Sequence, residues 1–193
     1  MSQKYDVLDV DTALRTLDLV VGGSSSLDIV MSVKSKRAGY VKVESERVFD
    51  DETPRMDVIG YFLAAVSPTD QSSGKVSGRR QYSALRVIRM SDASTGSMLS
   101  IFGTNEDAIE VEVAVYKAGG DAQSKDAKPT LRIIAKGTRI KSYTLLAGCV
   151  AGGGPVEIID FAFRTIKIVS AQQSKTGSRG ALVTFEDSLD TEF

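Results

Sequence analysis

Apolar and polar residues alternate most regularly over Ile109-Glu110-Val111-Glu112-Val113-Ala114-Val115-Tyr116. Period two of this kind predicts a β-strand with one face in a core and one face wet. Similar runs predict strands at 28–34, at 56–66 around Tyr61 and Phe62, at 81–90, and at 182–185. Residues 38–46, with Tyr40, Val41 and Val43, read as a weaker strand that becomes a charged loop over 44–55. Residues 131–135 and 139–146 read as one bent strand with Gly137 at a bulge. Residues 156–169 form another strand, with Phe161, Ala162 and Phe163 near its centre.

One helix stands out, over 91–103. Asp92 or Ser94 can cap its start, and Gly103 is placed to take the left-handed position after its end. One helix against many strands implies a mainly β chain: a β-barrel of two packed antiparallel sheets with a plugged end, one short helix and long loops. The longest polar loop is 67–80, with Pro68, Gly74 and Gly78. Residues 1–26 form an N-terminal extension ending in the joint Gly22-Gly23-Ser24-Ser25-Ser26. Within it, Asp11 to Leu17 fits a capped helix and Leu17 to Val21 fits a strand equally well. Residues 27–193 are expected to be one domain.

Composition narrows the function. Of 193 residues, 42% are hydrophobic, enough to build a core without staples. There are 24 basic and 25 acidic residues, so no global basic field draws nucleic acid or anionic lipid. Cys149 stands alone, which rules out an intrachain disulfide. No apolar run approaches a membrane span, and no signal-like leader is expected from Met1-Ser2-Gln3-Lys4-Tyr5-Asp6.

The chain has no histidine, so no imidazole can activate Cys149 or a serine. Glu110 and Glu112 look like one solvated strand face rather than a catalytic pair. Asp50-Asp51-Glu52 lacks the spacing of a calcium loop. Gly148 and Gly152-Gly153-Gly154 are followed by Pro155 and a strand, which makes them a turn and not a phosphate loop. Gly119-Gly120 reads as a hairpin turn. No enzyme, metal or cofactor is expected. Lys75, Arg79 and Arg80 form a basic cluster that a partner could use.

The order of these elements resembles the hemolysin-coregulated protein family, Hcp, the inner-tube subunits of bacterial type VI secretion systems, related in fold to phage tail tube proteins. Leu27-Asp28-Ile29-Val30-Met31-Ser32-Val33 is similar to the family's opening strand, and Met56-Asp57-Val58-Ile59-Gly60-Tyr61 to its second. Residues 85–89 with Asp92-Ala93-Ser94-Thr95-Gly96-Ser97-Met98-Leu99 resemble its strand, Asp-x-Ser turn and helix. Val113-Ala114-Val115-Tyr116-Lys117-Ala118-Gly119-Gly120 is the closest local match, and 158–169 resembles the closing strand. The resemblance spans about 27–172; the segment before Leu27 is extra, 44–54 is differently composed and 121–128 looks lengthened.

The resemblance implies a structural protein. Homohexameric rings stack into a hollow tube inside a contractile sheath, with a spike complex at the tip and effector proteins in the lumen. The subunit is assembled in the cytoplasm and delivered outside without a signal peptide. No nucleic acid, membrane insertion or fused C-terminal effector domain is expected. Glu44, Glu46, Arg47, Asp50, Lys75, Arg79 and Arg80 become candidates for contacts between subunits or rings. Glu110, Glu112, Arg132 and Lys167 become candidates for a wet face on the lumen or the outside. The rival readings are a phage-like tail tube protein and a monomeric β-barrel binding module.

Overall fold

A computed structural model describes residues 27–44, 52–68, 73, 75–76, 78–107, 109–117, 128–148, 154–173 and 179–189. Among the described residues twelve strands and one helix follow in chain order: β1 (Leu27–Ser35), β2 (Gly39–Tyr40), β3 (Met56–Val58), β4 (Gly60–Phe62), β5 (Ala65–Val66), β6 (Gln81–Tyr82), β7 (Leu85–Met90), α1 (Thr95–Gly103), β8 (Ile109–Lys117), β9 (Leu131–Leu146), β10 (Val156–Ala162), β11 (Thr165–Gln173) and β12 (Arg179–Ser188). The extension 1–26, the Gly119-Gly120 turn, Cys149 and the Gly152-Gly153 turn lie outside the described residues.

The strands are antiparallel and form a circuit: β1 pairs β8, β8 pairs β9, β9 pairs β10, β10 pairs β7 and β7 pairs β4. The circuit closes because β3, one residue before β4, pairs back onto β1. The expected single strand over 56–66 is therefore three short ones. The chain leaves one sheet for the other at Ile59, whose N–H bonds the Ile88 carbonyl at 2.8 Å. Its continuous apolar run hid the break, because residues on either side of the crossing face the same core.

β9 is the bent strand the sequence predicts, and it serves both sheets. Its first half pairs β8 and β11, and its second half pairs β10. At the bend Lys136 and Gly137 stand opposite Glu110 alone, which is a bulge. Gly137 has φ +56°, and a Cβ there would sit 3.1–3.3 Å from the Arg164 side chain. The predicted strand 156–169 breaks beside this bend, at 163–164, into β10 and β11. The hairpin β11–β12 then extends the first sheet beyond the barrel.

The inward faces form one continuous core. It includes Met31, Val33, Met56, Leu85, Val87, Ile109, Val111, Val113, Ile133, Ile159, Phe161 and Ile166. The helix seats Met98 and Ile101 in that core. At its start Ser94 is the N-cap residue without a side-chain cap bond, while the Asp92 carboxylate accepts the Ser94 N–H at 2.8 Å. At its end the left-handed residue is Asn105 (φ 53°), not Gly103. The helix starts at Thr95 rather than at 91, and the left-handed position falls two residues later than expected because Gly103 is still helical and Thr104 still donates its N–H to Ser100 at 3.0 Å. Asn tolerates that conformation better than most residues.

Candidate functional site

The outer face of the first sheet gathers the four wet-face residues into one charge pattern. Alternation along β8, β9, β11 and β12 projects Glu110, Glu112, Arg132, Lys136, Lys167 and Glu186 from that face. Arg132 grips Glu112 with two bonds, Nε to Oε1 at 2.8 Å and Nη2 to Oε2 at 2.7 Å. Lys136 stands 3.5 Å from Glu110, and Lys167 stands 3.6 Å from Glu186. A buried cation, Arg55, lies 3.9 Å from Glu112 Oε1, the oxygen that also accepts from Arg132 Nε. Acids on β8 therefore face bases on β9, and the base on β11 faces an acid on β12. The two lysine pairs are exposed and contribute under about 1 kcal/mol each. Their main effect is to cancel the field of the face. The sequence showed Glu110, Glu112, Arg132 and Lys167, but not their partners Arg55, Lys136 and Glu186, which register alone brings near.

The loop candidates separate. Glu44 and Lys75 are exposed. Glu46, Arg47 and Asp50 lie outside the described residues. Arg79 and Arg80 are exposed but face their own chain. Arg79 donates to the Ser188 carbonyl at 3.2 Å, and Arg80 lies 3.3 Å from Asp187 with its guanidinium over the Phe185 ring. Tyr82 donates to Asp187 at 2.7 Å. These contacts fasten the C-terminal end of β12 to the barrel.

A second polar cluster, which the sequence reading missed, is buried between β7, β10 and α1. Arg89 and Glu157 are register partners, both 0% exposed, with Nε and Oε2 3.2 Å apart. Arg89 also bonds Ser94 Oγ at 2.8 Å and the Asp92 carboxylate. Glu157 accepts from Tyr143 at 2.7 Å and from the Thr95 hydroxyl. Burial, and then the bond to Glu157, push the Tyr143 phenol far above its usual range. The cluster ties the first residues of the helix to both central strands of the second sheet. It is closed to solvent at Arg89 and Glu157, so it works as a bracket rather than a place for substrate. Among the described residues no group of three or more His, Cys, Asp or Glu could hold a metal.

The sequence model of the family described as "Type VI secretion system effector, Hcp" matches residues 40–180. The chain belongs to the Hcp family. Solved Hcp structures share the fold. A type six secretion system protein superposes with a TM-score of 0.67 at 21% identity, covering 83% of this chain and 96% of that one. Hcp1 from the E. coli EAEC 042 pathovar gives 0.62 at 13%, covering 84% and 98%. Hcp1 from Salmonella typhimurium gives 0.62 at 12%, covering 86% and 96%. No curated protein matches the sequence. The chain is thus a type VI secretion protein of the tube-forming Hcp family.

In this Hcp chain the Asp-x-Ser motif at 92–94 has a physical role, since both side chains bind the buried Arg89. The outer face of the second sheet has its own ladder. Arg86 grips Asp160 at 2.7 and 2.8 Å, and Ser142 donates to Asp160 at 2.7 Å. Burial pushes the Asp160 carboxyl up, but the bonds from Arg86 and Ser142, with the charges of Arg86 and Lys141, hold it below its usual 3.8. A carboxyl lowered in the folded state stabilises the fold above its unfolded pKa, and that contribution fades as pH falls through the folded value. Stability will therefore drop below about pH 5, and Asp160→Asn will flatten that acid slope while lowering stability at pH 7. Urea unfolding from pH 3 to 7 checks this; an unchanged acid slope in the variant is the contrary result.

Proposed function

We propose that this Hcp chain is the inner-tube subunit of a type VI secretion system. Six copies close into a ring, and rings stack into a hollow tube. A contractile sheath propels the tube, a spike complex sits at its tip, and effector proteins ride in the lumen. The family match across 40–180 carries this reading. The protein acts by assembly and not by catalysis, as its wet faces and solvent-closed polar bracket fit.

The charged face of the first sheet is the lumen wall in this reading. A lumen wall whose charges pair across neighbouring strands would hold cargo of either sign weakly. Glu44, Glu46, Arg47, Asp50 and Lys75 contact neighbouring subunits or stacked rings. Arg79 and Arg80 contribute there by holding β12 in place. Residues 1–26 act as an appendage outside the tube domain, which begins at Leu27. The subunit assembles in the cytoplasm and leaves the cell through the machine. Among the described residues no helix is long and apolar enough to cross a membrane.

Negative-stain electron microscopy of the purified full chain tests the reading. Six-lobed rings with a central hole, alone or stacked, are the expected images. Single compact particles at every concentration would overturn it.

A further inference from the structure

A groove of about 580 Å³ runs between the β1–β2 hairpin and α1. Val41 and Ile101, both buried, form its floor, and Tyr40 stands exposed at its rim. The hairpin side carries Arg37 and Lys42, both exposed. Two more exposed lysines stand beside them: Lys36, and Lys34, whose ammonium lies 5.3 Å from the centre of the Tyr40 ring. Glu106 borders the groove, but its carboxylate is engaged by the turn. It accepts from the Ser35 hydroxyl at 2.9 Å and from the Lys36 N–H at 2.6 Å.

The charges of this groove are unmatched. On the outer face of the first sheet Arg132 stands against Glu112, Lys136 against Glu110 and Lys167 against Glu186. Here, among the described residues, no carboxylate pairs with the charged ends of Lys36, Arg37 or Lys42. Cations crowded over a partly apolar groove fit an acidic segment that also carries apolar side chains.

The N-terminal extension holds such a segment. Asp6-Val7-Leu8-Asp9-Val10-Asp11 alternates three acids with three apolar residues and contains no base. It can also reach. Tyr40 pairs with Lys34, which lies seven residues along β1 from Leu27, or about 23 Å. Asp11 precedes Leu27 by sixteen residues, up to about 50 Å of extended chain.

We infer that Asp6 to Asp11 dock in the groove of their own chain, with their carboxylates against Arg37, Lys42 and the neighbouring lysines. The contact cancels the field of that end of the barrel, as paired charges do on the first sheet. It is made within one chain, so it does not depend on ring formation.

Hydrogen exchange of the full chain, read by mass spectrometry at pH 7 and low salt, tests this. Amides of residues 7–11 should exchange about tenfold slower than in a free peptide of the same sequence, equally at low and high protein concentration. Arg37→Glu with Lys42→Glu should bring them to the free-peptide rate, and so should Asp6→Lys with Asp9→Lys. All four changes together should restore the protection, while β8 amides, far from either set, exchange alike in every variant. Free-peptide exchange in the wild type would overturn the inference, leaving the groove to another partner. Protection that survives the groove variant, or a fourfold variant that stays unprotected, would overturn it too. Protection that appears only at high concentration would place the segment on a second copy and overturn the intramolecular contact.

Discussion

Replacing Arg89 by methionine is expected to lower stability by about 3–5 kcal/mol, the usual cost of stranding one member of a buried ion pair. Arg89 and Glu157 are both 0% exposed. Without Arg89, Glu157 keeps only the Tyr143 and Thr95 hydroxyls among these partners, and its charge stays inside the barrel. Asp92 and Ser94 lose the group that draws the helix start onto β7. The double change Arg89→Met with Glu157→Leu should recover much of the loss, because apolar replacement of a whole buried pair is often near neutral. Urea unfolding of the three variants at pH 7 is the measurement. A single variant losing less than about 1 kcal/mol would mean that the bracket does not hold the helix.

Truncating Phe161 to alanine should cost a similar amount, about 3–5 kcal/mol. Phe161 is 0% exposed and lies where the register between β9 and β10 shifts. Its partners, Leu85 on β7 and Ile140 on β9, belong to the same core. A cavity there cannot collapse easily, because the neighbouring strands are fixed on both sides. At roughly 2–4 °C per kcal/mol for a chain of this size, the melting temperature should fall by about 10 °C. Phe161→Leu should lose less than half as much. Calorimetry at one fixed protein concentration, chosen because assembly adds concentration-dependent stability, decides it. An alanine variant within 2 °C of wild type would show that the site packs loosely.

The sequence revealed the fold where one face was wet and one dry. Over β8 it placed Ile109, Val111 and Val113 in the core, as found, and set Glu110 and Glu112 on the opposite face, where Glu110 is 43% exposed and Glu112 14%. At the end of that strand it could not show that Ala114 and Tyr116 are buried as well, because they pack with Val30 in a small separate cluster. Gly137 was legible because glycine inside a strand pattern has few other uses. The break at Ile59 was not, since apolar residues look alike whichever sheet they join.

The charged residues divide along the same line. Glu112 and Arg132 could be assigned to a wet face, and they form its tightest pair. Nothing in the sequence pattern sets Arg89 and Glu157 apart, yet both are fully buried. Only the pairing of β7 with β10 brings these distant residues together. The β12 edge was illegible for a related reason. A short apolar run at 182–185 predicts a strand, but not that among the described strands it pairs β11 alone.

The central claim is assembly, and native mass spectrometry of the full chain at micromolar to millimolar concentration tests it most directly. The account predicts a dominant species of six times the 20.7 kDa chain mass, with multiples of that mass where rings stack. A single 20.7 kDa species across the whole range would contradict it.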